Sequence, residues 1–317
     1  MKDVLKTLFT SHWKYLAILT ACKVKLFDKI GSGVSLHDLI ERENWCNVTA
    51  EALVAVCEQE GLLIIENGII NLTPKGRLLV STHPENMYYA CLHWGTEHLI
   101  AWQNLEYTLE TGQSSFEKIY GEPFFDYIGN RTDKLQDYHK AMYAYAIDDY
   151  KELAQLLEIP KNHSVIDIGG GYGALIQSIK SDRPDLECAL FDLPEVIQNV
   201  HLNAITKHSG NFFESVPKGY DHYILSRVIH DWDDSNAIQI LGNVVRSIEK
   251  GKCIYLIENL TDKIKNKASL LTLNMKAVCE SQERTTEQYL SLLEKFDLNI
   301  KITQLNEYQF IIKGIKK

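Results

Sequence analysis

The first hundred residues carry apolar side chains at the spacing of amphipathic helices. Leu5, Leu8, Phe9, Leu16 and Leu19 recur three, four or seven positions apart. This spacing places them on one face of a helix, which predicts a helical start to the chain.

Two short helices and a hairpin are predicted next. Ser35 and Thr49 are expected to cap the helices, because their hydroxyls accept from free backbone amides. Asn67-Gly68 is typical of a tight hairpin turn. The predicted helices cover residues 34–40 and 50–59, and the strands cover 62–66 and 69–72. Helices followed by a two-stranded wing indicate a winged-helix domain over residues 1–100.

From Ser164 onward, short apolar runs alternate with helical patterns. The predicted strands are residues 165–168, 187–191, 220–225, 253–257, 299–303 and 308–313, and the predicted helices are 174–179, 195–203, 236–247 and 286–296. Such alternation builds a mostly parallel α/β sheet with right-handed crossovers. We therefore predict a Rossmann-like domain over residues 161–317, after a boundary at Pro160. A helical segment over 101–160 is rich in aromatic residues, some of which we expect to wall a substrate pocket.

Composition and charge exclude several classes of protein. The 317 residues are 45 % hydrophobic and 24 % charged, as in ordinary globular chains. The net charge is −9, and no Lys or Arg lies between Glu43 and Pro74, so the predicted winged helix could not neutralise phosphates. No apolar run approaches the roughly 20 residues of a membrane span. Seven cysteines without a C-x-x-C pair favour a reduced, cytoplasmic protein. We expect neither a nucleic-acid nor a membrane partner.

A glycine loop joins the first predicted strand of the second half to a helix. Residues 167–173 read Asp-Ile-Gly-Gly-Gly-Tyr-Gly. Taken with Ala174, the glycines satisfy the relaxed dinucleotide pattern G-x-G-x-x-A. Taken with Gly173 and Asp167, they resemble the first motif of class I S-adenosylmethionine-dependent methyltransferases. An acidic residue before the glycines suits a cationic sulfonium cofactor better than an anionic pyrophosphate.

Asp192 ends the next predicted strand, about 20 residues beyond the last glycine. A carboxylate at this spacing accepts hydrogen bonds from a ribose. Both cofactors contain that ribose, so Asp192 does not distinguish them. The alternative role is a helix cap before Pro194.

A histidine motif follows the strand predicted at 220–225. Residues 230–234 read His-Asp-Trp-Asp-Asp, and residues 283–285 read Glu-Arg-Thr. Together with the glycine loop, these motifs closely resemble the small-molecule O-methyltransferases of the caffeic acid and bacterial polyketide-tailoring type. The resemblance covers essentially the whole chain.

The resemblance implies a base and its supporting groups. His230 would be the general base that accepts a proton from a substrate hydroxyl, a role that the ordinary pKa of histidine suits. Glu258 and Glu283 would orient it, and Asp231 would help to hold the substrate. The alternative role for His230 is a loop histidine that caps a helix. No cluster of Asp, Glu and His resembles a divalent-metal site, so we expect a metal-independent reaction.

The resemblance also implies the remaining site residues. Cofactor contacts are expected at Asp167, Gly169, Gly170, Gly171, Asp192, Leu193, Asn211, Phe212, Phe213, Ser226 and Arg227, and acceptor contacts at Asp231, Met142, Met275 and Phe124. Asn211 stands where the family commonly has Asp near the adenine amine, and its carbonyl oxygen can still accept from that amine. Ser226 stands where many members have Lys near the cofactor carboxylate, and either Ser226 or Arg227 could take that place.

The sequence thus predicts a methyltransferase that uses S-adenosyl-L-methionine and acts on a hydroxyl of a small, aromatic acceptor. The family pairs such chains into homodimers through the N-terminal domain. Three alternatives stay open: N- or C-methylation or hydroxylation on the same fold, a nicotinamide-dependent oxidoreductase, and a winged-helix regulator that senses a ligand.

Overall fold

The computed structural model describes residues 2–264 and 268–317. The chain divides into two compact units, Met1–Leu99 and Ile100–Lys317. The predicted segments 101–160 and 161–317 both lie in the second unit.

The first unit is mainly helical and contains a small antiparallel sheet in the order β1-β3-β2. Its helices are α1 (Lys2–Lys23), α2 (Leu26–Ile30), α3 (Leu36–Glu43), α4 (Asn47–Gln59), α5 (Pro74–Arg77) and α6 (Tyr88–Gly95), and its strands are β1 (Val34–Ser35), β2 (Leu63–Glu66) and β3 (Ile69–Leu72). The Ser35 hydroxyl accepts from the Asp38 amide and caps α3, as predicted. The predicted start of α4 is wrong, because extended Cys46 precedes the helix and Thr49 lies inside its first turn.

The second unit contains a seven-stranded sheet in the order β6-β5-β4-β7-β8-β10-β9. The strands are β4 (Ser164–Ile168), β5 (Glu187–Asp192), β6 (Thr206–Ser209), β7 (His222–Ser226), β8 (Cys253–Asn259), β9 (Leu298–Gln304) and β10 (Gln309–Lys316). Strands β4 to β8 are parallel, and β10 runs antiparallel to both β8 and β9. The predicted mostly parallel, Rossmann-like fold is confirmed. Strand β6 was not predicted, because this edge strand has no buried residue and no apolar run.

The remaining helices belong to the second unit, except that α7 begins in the last residues of the first unit. They are α7 (Glu97–Trp102), α8 (Leu105–Thr111), α9 (Ser115–Tyr120), α10 (Phe124–Gly129), α11 (Thr132–Ala146), α12 (Leu153–Leu156), α13 (Ala174–Asp182), α14 (Pro194–Ile197), α15 (Asp234–Ser247), α16 (Ala268–Cys279) and α17 (Thr286–Leu293). A 3-10 turn, Ile229–Asp231, follows β7. Helix α14 is shorter than predicted, and α16 was not predicted. Among the described residues, no helix combines the length and hydropathy that crossing a membrane requires.

The core of the second unit lies on both faces of the sheet. Side chains of a strand alternate between faces, so Val165 and Ile166 belong to different hydrophobic clusters. One cluster joins the sheet to α15 and α17, and the other joins it to α12 and α13. Because both faces are covered, ligands have access to the sheet at its ends.

Candidate active site

A cavity of about 450 Å³ opens at the carboxyl ends of the parallel strands. Its walls come from the loops that follow β4, β5, β6 and β7 and from helices α10 and α11. The lining includes Gly169, Asp192, Asn211, Arg227, Asp231 and Trp232. Open α/β sheets bind ligands at this edge.

The glycine loop forms one wall of the cavity. Gly169 and Gly171 have φ values of +70° and +58°, a region that favours glycine. A Cβ atom on Gly171 would lie 3.0 Å from Nδ1 of His139, and one on Gly169 would lie 3.0 Å from a methyl group of Val228. The glycines therefore satisfy both the backbone conformation and the close packing of the wall.

The carboxylate of Asp192 is held by two backbone amides. Gly171 donates to Oδ2 and Leu193 donates to Oδ1, each over 2.7 Å. Burial raises the pKa of Asp192 to about 6, although the two amides act in the opposite direction. Helix α14 begins without a side-chain cap, so Asp192 does not serve as that cap. Each carboxylate oxygen keeps a lone pair for a ligand hydroxyl at the cavity wall.

Asp167 lies beneath the glycine loop rather than on the cavity wall. It is buried, and its carboxyl group occupies the space that a Cβ atom on Gly170 would need. Burial and the nearby charge of Asp192 raise the pKa of Asp167 to about 8. Neither of its oxygens has a hydrogen-bond partner within the described part of the chain. Asp167 thus supplies a buried acid behind the loop.

His230 lies in the 3-10 turn after β7 and contacts two glutamates. Its Nδ1 atom is 3.0 Å from Oε1 of Glu283 and 4.0 Å from Oε2 of Glu258. The amide of Asn259 donates to the same Glu283 oxygen, and Glu258 accepts from the Ile229 amide. With Nδ1–H donating to Glu283, Nε2 is the nitrogen that can accept a proton.

The charges around His230 favour its protonated form. Burial lowers the pKa of the imidazole, but the carboxylates of Asp231, Glu283 and Glu258 outweigh burial and raise the pKa to about 10. Burial in turn raises the pKa of Asp231 to about 6 and that of Glu258 to about 7. The cluster therefore stabilises the imidazolium that forms when His230 accepts a proton.

Ser226 and Arg227, the two residues that could contact the cofactor carboxylate, have different surroundings. The Ser226 hydroxyl lies 2.8 Å from the hydroxyl of Tyr150 and outside the cavity lining. Arg227 lines the cavity, with φ +53° and a guanidinium nitrogen 3.6 Å from a carboxylate oxygen of Asp149. Arg227 is thus the cation that faces the cavity from β7.

The remaining cofactor candidates divide in the same way. Leu193, Asn211, Phe212 and Phe213 line the cavity, as does Gly169 of the glycine loop, whereas Gly170 and Gly171 are not part of the lining. The side-chain oxygen of Asn211 accepts from the Phe213 amide over 2.9 Å, which fixes the orientation of the Asn211 amide group.

The acceptor candidates are not all brought together. Asp231 lines the cavity, whereas Phe124, Met142 and Met275 do not. Phe124 packs edge-to-face on Phe116 in an aromatic cluster.

Four ring-bearing residues of the cavity lining were not among the predicted site residues: Phe125, Tyr138, His139 and Trp232. Phe125 stacks on Trp232 with ring centroids 5.5 Å apart and an interplanar angle of 23°, and both rings line the cavity. His139 also lines it and stacks on Tyr172. The aromatic richness of residues 101–160 signalled such a wall without identifying its members.

The residues present fit S-adenosylmethionine. The cavity is bounded by a fixed carboxylate at Asp192 for ribose hydroxyls, by the Asn211 amide and Phe212 ring for adenine, and by a guanidinium at Arg227 for a carboxylate. The N–H of Gly171 in the glycine loop is already bound to Asp192, so it is not free for a pyrophosphate. Across residues 2–264 and 268–317, no three His, Cys, Asp or Glu side chains converge as metal ligands would.

Comparison with known proteins agrees with this geometry. Residues 102–297 match the family model of the O-methyltransferase domain. A phenazine O-methyltransferase of Lysobacter antibioticus is 26 % identical over 92 % of this chain and 89 % of its own length. A 3-amino-4-hydroxybenzoate 4-O-methyltransferase of Streptomyces cremeus is 28 % identical over 91 % of this chain and 82 % of its own length.

Solved structures share the fold. Human N-acetylserotonin methyltransferase, determined in complex with S-adenosylmethionine, superposes with a TM-score of 0.90 at 21 % identity, over 99 % of this chain and 97 % of that one. The match to the family model spans more than half of the chain, and the relatives are covered over most of their length. The chain therefore belongs to the O-methyltransferase family and is an S-adenosylmethionine-dependent O-methyltransferase.

Proposed function

We propose that this enzyme methylates a hydroxyl group of a small aromatic metabolite, with His230 as the general base. The observation that carries the proposal is the 3.0 Å contact between Nδ1 of His230 and Oε1 of Glu283. Neither residue is in the cavity lining, but Asp231, which follows His230, is. A base needs a partner that fixes its tautomer, and Glu283 supplies that partner.

Four residues would hold the cofactor. Asp192 would accept from the ribose hydroxyls, Asn211 and Phe212 would contact the adenine, and Arg227 would pair with the carboxylate. When bound, S-adenosylmethionine supplies an electrophilic methyl group on a sulfonium ion. The carboxylate of Asp192 is held by two amides. Burial raises the pKa of Glu283, but neighbouring groups, mainly the charge of His230, bring it below its usual value. These two carboxylates give this edge of the sheet a negative character that suits a cation.

The chain itself performs the proton transfer and the alignment. Nε2 of His230 would accept the hydroxyl proton, while Glu283 and Glu258 stabilise the resulting imidazolium. Asp231, with its carboxylate oxygen 3.5 Å from Nε2, would hold the acceptor beside the base. Holding two reactants in line can supply about 7–11 kcal/mol of rate enhancement. The stacked rings of Phe125 and Trp232 would keep water away from that alignment.

An aromatic acceptor is supported by the walls and by the relatives. Phe125, Phe212 and Trp232 present rings to the cavity, and aromatic pairs favour stacked or edge-on contacts with an aromatic ligand. The Lysobacter relative is named for a phenazine and the Streptomyces relative for a hydroxybenzoate. Met142 and Met275, which the family resemblance implies as acceptor contacts, lie outside the cavity lining and would have to contact an acceptor that extends beyond it.

The test measures transfer of labelled methyl groups to phenolic acceptors, beginning with 3-amino-4-hydroxybenzoate and a hydroxyphenazine. His230→Ala is expected to lose about 10²- to 10⁴-fold in kcat, the contribution of a general base. Its affinity for S-adenosylhomocysteine should stay within twofold of the native value. The control is His37→Ala, which replaces an exposed histidine of α3. Full activity of His230→Ala would instead favour N- or C-methylation, which needs no hydroxyl base.

We also propose that two chains form a homodimer through the first unit. Helix α1 exposes the apolar side chains of Val4, Leu5, Leu8, Phe9 and Trp13, each 48 % to 71 % accessible. Large apolar side chains clustered on one helix are rare on a monomer surface and mark an interface. A second copy of the chain, as the family resemblance implies, would cover them.

A further inference from the structure

One loop anchors the backbone on both sides of His230. The loop spans residues 280–285, between α16 and α17. The Ser281 hydroxyl donates to the carbonyl oxygen of His230 over 2.6 Å. Arg284 donates to the carbonyl oxygens of Ile229 and Trp232 over 2.9 and 2.7 Å. Side chains of this loop therefore hold three of the four successive carbonyl groups of residues 229–232, in and just after the turn.

We propose that Ser281 is a positioning residue for His230, which fixes the peptide plane that follows the base. The inference rests on the proposed function of His230 as the base. Because this peptide joins His230 to Asp231, one hydroxyl sets the direction of both side chains.

The loop holds His230 at two points. Ser281 binds its main chain, and Glu283 accepts from Nδ1 of its imidazole over 3.0 Å. Rotation of the imidazole about its Cα–Cβ bond would break the contact with Glu283, and tilting of the peptide would break the contact with Ser281. Ser281 is 2 % exposed, so water does not compete for the carbonyl oxygen from its side. Two attachments from one loop therefore define one ring orientation.

The loop is itself held in place by hydrogen bonds and an ion pair to neighbouring helices. Glu280 accepts from the Ser114 amide over 2.9 Å, and the Lys276 ammonium donates to the Glu280 carbonyl. Arg284 is almost fully buried and pairs with Asp234 over 2.8 Å. These contacts tie the loop to the start of α9, to α16 and to the start of α15. Because the loop is anchored at three places, its side chains can hold the turn that contains His230 in a fixed position.

The experiment compares Ser281→Ala with Ser247→Ala. Ser247 is also a buried serine whose hydroxyl donates to main-chain carbonyls, those of Val216 and Asn243, but it lies at the end of α15 away from the cavity. Loss of one such hydrogen bond in the turn should lower kcat about three- to tenfold. The KM for S-adenosylmethionine should change less than twofold, and Ser247→Ala should keep the native kcat. Ser281→Thr retains the hydroxyl, so a folded Thr variant should stay within threefold of native kcat.

A second readout does not depend on turnover. The imidazole of His230 is titrated by NMR in the absence of ligands, with its signal assigned by its loss in His230→Asn. Ser281→Ala should shift the pKa of His230 down towards the ordinary histidine value, because the ring moves away from Glu283. Ser281→Thr and Ser247→Ala should titrate like the native protein.

The outcomes distinguish a failure of the positioning role of Ser281 from a failure of the assignment of His230 as the base. If His230→Ala is inactive but Ser281→Ala matches Ser247→Ala in both kcat and the His230 titration, Ser281 does not position the base. A folded Ser281→Thr variant that loses as much as Ser281→Ala also contradicts the inference. If His230→Ala keeps full activity, the base assignment fails, whereas the titration still decides whether Ser281 orients the ring.

Discussion

Asp192 accepts a hydrogen bond of 2.7 Å from the backbone amide of Gly171, so the acid at the end of β5 is tied to the glycine loop after β4. The contact joins two neighbouring parallel strands at the edge where ligands bind. It orients the carboxylate before any ligand arrives, and binding then requires less ordering of the site.

Replacing Asp192 by Ala should weaken cofactor binding. Hydrogen bonds to a charged group contribute about 1.5–3 kcal/mol each, so loss of the ribose contacts predicts a Kd about 10- to 100-fold higher. The measurement is calorimetric titration with S-adenosylhomocysteine. Asp182→Asn, an exposed acid at the end of α13, is the control and should bind like the native protein. An unchanged Kd for Asp192→Ala would contradict the ribose assignment.

The pH dependence of methylation should report the carboxylates around His230. The base must be neutral to accept a proton, so kcat rises as pH increases through the pKa of His230. Asp231, Glu283 and Glu258 raise this pKa against the opposing effect of burial. Glu283→Gln removes one negative charge, which should move the rising limb of the profile to lower pH.

The maximal rate of Glu283→Gln should also fall, by less than the 10²- to 10⁴-fold expected for removal of the base itself. The measurement is kcat at saturating substrates between pH 6 and pH 11, a range that includes the rising limb of the native enzyme. Glu294→Gln changes an exposed glutamate that follows α17 and should leave the profile unchanged. A Glu283→Gln profile with an unshifted limb would show that Glu283 does not act on the charge of His230.

The sequence predicted the chemistry of the site better than its walls. The glycine loop was predicted from its own residues, whereas the pairing of His230 with Glu283 was implied by the resemblance to the O-methyltransferase family. Gly171 has no room for a side chain, and a proton acceptor needs a titratable ring beside a carboxylate. The glycine requirement leaves a local trace in the sequence, whereas no local pattern links His230 to Glu283, which lies 53 positions away.

The aromatic wall could not be predicted in the same way. Phe124 and Phe125 are adjacent phenylalanines at the start of α10, and only the rotation of that helix decides which ring faces the cavity. Phe125 does so, because Phe124 packs into the cluster around Phe116. In a segment dense in aromatic residues, both rings satisfy the same pattern. The choice between them is made by tertiary packing, which has no short-range signal.

A pair of histidines at the opposite end of the sheet should make stability depend on pH. Nδ1 of His163 lies 3.0 Å from Nε2 of His222, whose Nδ1 is 3.1 Å from the Tyr255 hydroxyl. Burial, followed by the charge of His163, lowers the pKa of His222 to about 4, while Asp221 acts in the opposite direction. The unfolded chain therefore binds more protons than the folded one between pH 6.5 and pH 4, so stability falls as pH falls through this range.

His222→Gln should remove most of that pH dependence. With a pKa of 6.5 in the unfolded chain and about 4 in the folded one, the native protein should lose about 2 kcal/mol between pH 7 and pH 4.5, and the variant should not. Urea unfolding at pH 7 and at pH 4.5 measures the difference. His201→Gln replaces an exposed histidine and should behave like the native chain. Equal acid losses in His222→Gln and the native protein would show that other groups cause them.

The proposed dimer predicts that charge on the apolar face of α1 should separate the chains. Phe9 and Trp13 are one helical turn apart and are 67 % and 64 % exposed, so Phe9→Glu with Trp13→Glu would place two carboxylates in the interface. Burying unpaired charges is strongly unfavourable, and the double variant should sediment as a monomer at concentrations where the native protein is a dimer.

The control is Thr7→Glu, on the opposite side of the same helix. Sedimentation velocity over a hundredfold range of concentration measures the shift. A native protein that is monomeric throughout, or a double variant that stays dimeric, would show that this apolar face is not a dimer interface.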